Sequence, residues 1–482
     1  MEIKALATTF ANLALMKNYI NQTLLLLLLL VLLLTSLGWI PENLNIGDFH
    51  LRKMDIFADI RSASDVIPVV TDTIQADSAD WFVADTAGVV VAPDSIGPLP
   101  PKDSIWFGKI IEDYTPGQEG LSRFFASIDS IKQGQSVRVA WYGDSFVEGD
   151  ILIGDLRDTL QTLWGGQGVG FVPVTSEVAQ FKRTLKHDFR GWTTYSIIKK
   201  TENRPILGIN GYAYVPEPEA KIHYEGASYF HHTRQWTQFR FFYTAEQKIS
   251  FVWQQKDGDP KNETLAAAPG KINAWKWSEN YPGTTAFAVR FPQTEGLTLY
   301  GASLESGPGF YIDNFSVRGN SGGPLKLLRP DIIQQFDRFQ HYDLIVLQVG
   351  LNAVTNSLNN IKWYQAELDR TFAHLRACFP DKPILIVGVS DRANKNGTEL
   401  STMRGVPAIV AMQREMARKH GFLFYDLYYG MGGPGSMILL AQHKPRYANL
   451  DYTHLTHDGG RVIGYQFAQL FMEEQVKWRA VQ

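Results

Sequence analysis

One cysteine in 482 residues, Cys378, rules out an internal disulfide framework. It falls in a helical-looking stretch, "TFAHLRACFP", and reads there as a buried structural thiol. Positive charge is short as well: 46 Lys and Arg stand against 49 Asp and Glu, the net charge is −3, and no long basic run occurs. That balance offers no electrostatic field to a polyanion, so nucleic acid is set aside as a partner. What is present is 45% hydrophobic and 20% charged residues, a composition able to bury a sizeable core in two or three domains and unlike that of a disordered chain.

Charge is absent altogether from "TLLLLLLLVLLLTSLGWI", residues 23–40, and those 18 residues are about the length that crosses a ~30 Å bilayer core. The following "TSLGWIPENL" has no small-x-small cleavage site and no lipoprotein cysteine, which favours an uncleaved anchor over a removed signal. Lys4 and Lys17 precede the segment, so residues 1–22 are expected inside and everything beyond about residue 41 outside. Residues 41–104 end in "VAPDSIGPLPPKDS", carry little apolar periodicity, and read as an extended linker.

From residue 105 the pattern changes to strand and helix in turn. "LSRFFASIDSIK" reads as a helix and "SVRVAWYG" (136–143) as a buried strand, and Leu152, Leu156, Leu160 and Leu163 then recur at helical spacing. Late in the chain the alternation returns: strands over 343–350, 383–390 and 422–427 are separated by helices over 362–379 and 407–420, with a last helix from about 458. Apolar strands alternating with amphipathic helices imply a parallel sheet covered on both faces, here in two pieces, 105–174 and 311–482. Between them, residues 175–310 hold short β-type runs such as "QFRFFYTA", "KISFVWQQ", "TAFAVRFP" and "LTLYGASLE", spaced by turns, which reads as an inserted β-sandwich. Its Trp192, Trp236, Trp253, Trp275 and Trp277 are either a sugar-stacking platform or, as is usual for aromatics in a small β domain, its core.

The serine of "WYGDSFVEGD" draws the chemistry together. A strand, sharp turn and helix lift the turn residue above the carboxyl edge of a parallel sheet, where open α/β folds bind ligands, and Ser145 sits at that turn. A hydroxyl becomes a nucleophile only if a base removes its proton and a third group orients the base. "DYTHLTHDGG" supplies Asp451 and His454 three residues apart before the last helix, with His457 as a competitor. An acyl transfer also needs donors for the oxyanion. Asn352 of "LQVGLNAV" follows a buried strand at the same edge, and Gly319 of "YIDNFSVRGNSGG" follows another, where a missing side chain lets the backbone N–H approach substrate. Taken singly, the Asn also reads as a residue satisfying its own backbone and the Gly as a turn.

Together these four pieces resemble the SGNH (GDSL-like) hydrolase superfamily, whose blocks occur in the same order: Gly143-Asp144-Ser145, Gly319, Gly350-x-Asn352 and Asp451-x-x-His454. The resemblance covers 105–174 and 311–482. It implies a flavodoxin-like three-layer α/β fold, Ser145 as nucleophile, His454 as base and Asp451 as its orienter, an oxyanion hole from the N–H groups of Ser145 and Gly319 with the Asn352 amide, and no metal or organic cofactor. "GDSFVEGDILIGDLRDTLQTLWGGQGVGFVPV", a β insert and then "LYGASLESGPGFYIDNFSVRGNSG" are similar to the periplasmic peptidoglycan O-acetylesterases and their acetyltransferase relatives. Those esterases commonly carry a histidine after the serine where this chain has Phe146, and they lack the anchor and linker.

The expectation is therefore a serine esterase held in the inner membrane, its catalytic domain in the periplasm, that removes O-acetyl groups from a glycan through an acyl-serine. An O-acetyltransferase of the same fold, fed through the membrane by a membrane-embedded acyltransferase, would use the same residues. A glycan-binding protein without catalysis is the alternative from another class, and it has no need of Ser145, Asn352, Asp451 and His454 together.

Overall fold

The computed structural model describes residues 109–396 and 399–482, together with the backbone of a small antiparallel pair, Asn45–Ile46 with Phe49–His50. The expected anchor at 23–40 lies outside the described residues, as does the linker at 41–104 apart from that pair. Among the described residues no helix is long and apolar enough to cross a membrane.

The first sheet has six strands: β1 (Glu112–Asp113), β2 (Ser136–Gly143), β3 (Gly309–Ser316), β4 (Leu344–Gln348), β5 (Ile384–Val387) and β6 (Leu423–Tyr425). Their order is β3-β2-β4-β5-β6-β1. The first five run parallel, and β1 pairs antiparallel to β6 at the edge. Counting only the parallel strands in chain order gives 2-1-3-4-5, the flavodoxin-like arrangement, whose direction of winding reverses beside its first strand and leaves a crevice there.

Helices cover both faces, for a reason visible in two adjacent side chains. Successive residues of a strand point to opposite faces. In β2, Trp141 meets Phe467 of helix α6 with ring centroids 5.4 Å apart, while its neighbour Tyr142 meets Phe379, at the end of helix α4, at 6.3 Å. The main helices are α1 (Gly120–Ser130), α2 (Ile153–Trp164), α3 (Pro330–Gln340), α4 (Ile361–Cys378), α5 (Gly405–His420) and α6 (His457–Arg479). Five match the expected helical stretches within a few residues; α3, "PDIIQQFDRFQ", is additional and opens on a proline, which suits a first helical turn. Cys378 is buried in α4, and burial pushes its thiol up to about 12.

A second, nine-stranded antiparallel sheet occupies most of the chain between β2 and β3. The long strand Tyr212–Gly226 pairs with Leu185–Ser196 along one edge, and along its other edge with Ala286–Phe291 near its end and Leu297–Glu305 near its start. That split lets one sheet fold into two facing halves. Phe239 of one half stacks on Phe287 of the other at 4.1 Å, and Phe241 meets Phe251 and Phe291 at 5.5 and 5.9 Å. The limits differ from 175–310 at both ends: Gly170–Val172 already pairs with Ala302–Leu304 of this sheet, and Gly309 and Phe310 already belong to β3.

Trp236, Trp253 and Trp277 are buried inside this sheet, and Trp192 and Trp275 pack against the same core. Of the two readings of the tryptophans, the structure takes the core. Apolar rings on the inward face of facing sheets bury more surface there than they would at a solvent edge.

Candidate active site

Parallel pairing fixes where the site forms. Gly143, the last residue of β2, lies opposite Ser316 of β3 on one side and Gln348 of β4 on the other. These three neighbouring strands therefore end level, and the turns after them emerge side by side at the crevice where the winding reverses. Those turns carry Ser145, Gly319 and Asn352, residues far apart in the chain and made neighbours by register.

The turn after β2 is tight because its residues allow no alternative. A Cβ on Gly143 would stand 2.1 Å from Val147 Cγ2, so only glycine fits where the chain doubles back. The Asp144 side chain accepts a hydrogen bond from the Phe146 N–H at 2.9 Å, which closes the turn around Ser145. Burial pushes the Asp144 carboxyl up to about 6, against the opposing pull of the Phe146 N–H and of the His454 and Arg392 charges. Phe146, where the similar esterases commonly have histidine, is buried in the core.

The other two turns bring donors. Gly319 has φ +80°, and its position is open, with only Ile198 Cδ1 at 3.9 Å from where a Cβ would be. Backbone conformation, not crowding, selects glycine there. Among the described residues the N–H groups of Ser145 and Gly319 have no protein acceptor. Asn352 Nδ2 lies 3.5 Å from Asp144 Oδ2 and 3.2 Å from the Asn320 carbonyl, so its amide sits at the serine corner. Gly350 is packed tightly: a Cβ would meet Val389 Cγ1 at 2.7 Å.

Opposite these donors stands the segment before α6. Asp451 Oδ1 accepts the N–H groups of Thr453 and His454 at 3.0 and 3.1 Å, and its Oδ2 takes His454 Nδ1–H at 2.6 Å. Burial works to raise the Asp451 carboxyl, but these hydrogen bonds prevail and hold it below the usual range, so it is charged. With Nδ1 donating to Asp451, Nε2 is the acceptor, and it lies 2.9 Å from Ser145 Oγ. The structure thus joins Ser145, His454 and Asp451 in one hydrogen-bonded chain. The competitor His457 turns elsewhere: its ring bonds the Phe181 carbonyl, and burial, helped by the Arg183 charge, lowers its pKa.

Three features of the site carried no sequence reading. Gly459 and Gly460, the last residues of "DYTHLTHDGG", let the first turn of α6 press on backbone, since a Cβ would come 1.7 Å from the Tyr447 carbonyl oxygen and 1.9 Å from that of Ile151. Arg392 donates to the Leu351 carbonyl at 2.9 Å and so braces the turn that carries Asn352. Arg318, beside Gly319, pairs with Glu148 at 2.6 Å at the rim. The paired glycines were the one legible signal, because two in succession at a helix start mark a close approach. Among the described residues no group of three or more His, Cys, Asp or Glu is placed to hold a metal ion.

A serine hydrogen-bonded to a carboxylate-oriented imidazole, with unpaired N–H groups and an amide around it, is equipped to attack a carbonyl and hold the charge that develops on its oxygen. Residues 286–462 match the family described as GDSL-like lipase/acylhydrolase. That range contains Gly319, Asn352, Asp451 and His454 and stops short of Ser145, which the fold itself brings to them. A solved structure of a peptidoglycan O-acetylesterase is similar over 76% of this chain and 99% of its own, at 19% identity and a TM-score of 0.62, a likeness of fold. An acetyl xylan esterase (14% identity, 33% of this chain and 80% of that one, TM-score 0.26) and a family two carbohydrate esterase from Clostridium thermocellum (11%, 60% and 100%, TM-score 0.26) are similar only at a level that carries no argument. No curated protein matches the sequence.

Proposed function

We propose that this chain is an SGNH (GDSL-like) hydrolase whose substrate is the O-acetyl groups of a cell-wall or extracellular glycan, peptidoglycan first among them. The observation that carries the reading is the chain from Ser145 Oγ through His454 to Asp451, at 2.9 and 2.6 Å. The fold shared with a peptidoglycan O-acetylesterase over nearly all of that enzyme's length supports the choice of glycan.

In the first step Ser145 Oγ attacks the acetyl carbonyl carbon while its proton passes to His454 Nε2. The new oxyanion is held by the N–H groups of Ser145 and Gly319 and by the Asn352 amide, and Asp451 stabilises the imidazolium that has formed. Collapse breaks the bond to the sugar oxygen, which leaves with the proton from Nε2. Acetyl-serine remains. Water then attacks it with His454 as base, releasing acetate and restoring the serine. The uncharged 23–40 segment and the lysines before it support an anchor in the inner membrane with these steps in the periplasm.

Purified protein given O-acetylated peptidoglycan should release acetate, and Ser145→Ala should lower the rate by at least about a thousandfold. Adding a glycan acceptor decides the fate of the acetyl group. Acetate release indifferent to acceptor supports the esterase, and acetyl recovered mainly on the acceptor would make the protein a transferase. Acetate release that persists in Ser145→Ala would sink the mechanism.

A further inference from the structure

Beside the triad, on the Asp451 side, lies a groove of about 730 Å³. One wall is a hairpin, Ala393–Asn396 paired with Glu399–Thr402; the other is the segment around Asp451. The hairpin is fixed in place. Its Ala393 N–H bonds the Tyr452 carbonyl at 3.1 Å, and Asp391 at its base accepts Thr402 Oγ1 at 2.9 Å and the Met437 N–H at 2.9 Å. The groove is lined by Arg392, Lys395, Leu400, Met403, Asp451 and Tyr452 among others.

Two of those side chains are cationic, and neither is held in an ion pair among the described residues, although the Arg392 charge also acts on the buried Asp144. Lys395 is exposed and its ammonium has no ion pair or hydrogen bond among the described residues. Arg392 spends one nitrogen, Nη1, on the Leu351 carbonyl. Asp451, the carboxylate that lines the groove, is committed to two backbone N–H groups and to His454. Glu399 lies further along the hairpin, paired with Asn396. A cavity with two cations over an apolar floor of Leu400, Met403 and Tyr452 suits a carboxylate on a short carbon arm.

Position makes this more than a surface feature. Arg392 joins the groove to the turn that carries Asn352, and Asp451 is the partner of the histidine facing Ser145. A polymer whose ester reaches Ser145 can therefore lay a neighbouring substituent across Arg392 and Lys395. We infer that this groove is a subsite for a carboxylate of the glycan substrate, held by Lys395 and Arg392, so that the enzyme selects acidic over neutral O-acetylated polymers. The inference rests on the glycan-esterase reading and adds the charge class of the substrate. Sugar-borne and peptide-borne carboxylates share the same chemistry here.

The test compares O-acetylated peptidoglycan with the same material after its carboxyls have been amidated by carbodiimide, using the full chain and Lys395→Glu. The ratio of kcat/KM on the carboxylate form to that on the amidated form should exceed one in the wild type, fall by about tenfold in Lys395→Glu, and recover in Lys395→Arg. The wild-type ratio should also shrink as salt is raised. Amidase treatment before the amidation separates the sources, because it removes the peptide carboxyls and frees the sugar carboxyl that carried the peptide: a ratio that survives shows that the groove takes a sugar-borne carboxylate, and one that vanishes assigns the carboxylate to the peptide. A ratio unchanged by Lys395→Glu while Ser145-dependent acetate release persists would overturn the groove alone. Ser145-dependent release from neither form would overturn the glycan reading and this inference with it.

Discussion

Asn352 shows how much one side chain decides. Its amide is 3.5 Å from the carboxylate next to Ser145 and is exposed to an incoming ligand. If it holds the oxyanion, its contribution exists mainly in the transition state, so Asn352→Ala should lower kcat about 10²- to 10³-fold with little change in KM. A rise in KM at constant kcat would instead make it a ground-state binder. Two buried carboxyls contribute to the dependence of stability on pH. Burial pushes Asp144 up to about 6 and, in α2, Asp155 up to about 7, where Arg461 pulls down and Asp158 adds to the rise. Both are raised above the ordinary carboxylate value, so the folded state keeps protons that the unfolded state has lost. Their stabilising effect is whole below about pH 4 and is lost as pH rises through about 6 to 7, by a few kcal/mol at most. Urea unfolding should show that decline, and Asp155→Asn should flatten its upper part. A variant curve as steep as the wild type's would exclude Asp155. Of these residues Asn352 was legible, because the resemblance to the SGNH order of blocks points to it. Asp155 was not, because nothing in a helical heptad announces which carboxyl will be buried.

At the scale of elements, the site depends on three strand ends and one helix start. Strand register brings the turns of β2, β3 and β4 level, and the glycine pair at 459–460 docks α6 against the Ile151 and Tyr447 carbonyls, so that the loop before it hangs His454 over the serine. Thr456 caps the helix by accepting the Gly459 N–H at 3.2 Å. Gly460→Ala should therefore push α6 back and misplace the imidazole, lowering kcat more than about a hundredfold with the fold retained. Circular dichroism and acetate release measured together check this, and full activity in that variant would remove the docking argument. The strands and long helices were legible because their apolar periodicity is strong. The two-residue edge strand β1 and the hairpin over 393–402 were not, since such short segments carry no period and owe their shape to what they pair with.

For the whole molecule, the joint between the two sheets is a buried charge cluster. Arg138 of β2 reaches Asp313 of β3 at 3.0 Å and Glu305, at the end of the second sheet, at 2.7 Å. Asp313 also accepts the Phe171 N–H at 2.8 Å and the Tyr342 hydroxyl at 2.8 Å. Burial opposes the Glu305 charge, but Arg138 outweighs it and keeps the carboxyl low. Removing Arg138 would strand two buried carboxylates, so Arg138→Met should cost about 3–5 kcal/mol and lower the unfolding of both sheets in one transition. Two separated transitions, with the second sheet unaffected, would show that the sheets do not depend on this joint. By itself the sequence determined the α/β alternation and the presence of a β-rich insert, because periodicity is a local property that survives in a linear string, and it offered the residues of the site through their resemblance to the SGNH blocks. Tertiary structure alone decided the rest. It put the tryptophans in a core, turned His457 away to Phe181, placed Arg392 and Lys395 beside Asp451, and made the insert continuous with the catalytic sheet through Arg138. Each of these is a contact between segments far apart in the chain, set by strand register and by which groups burial leaves without water.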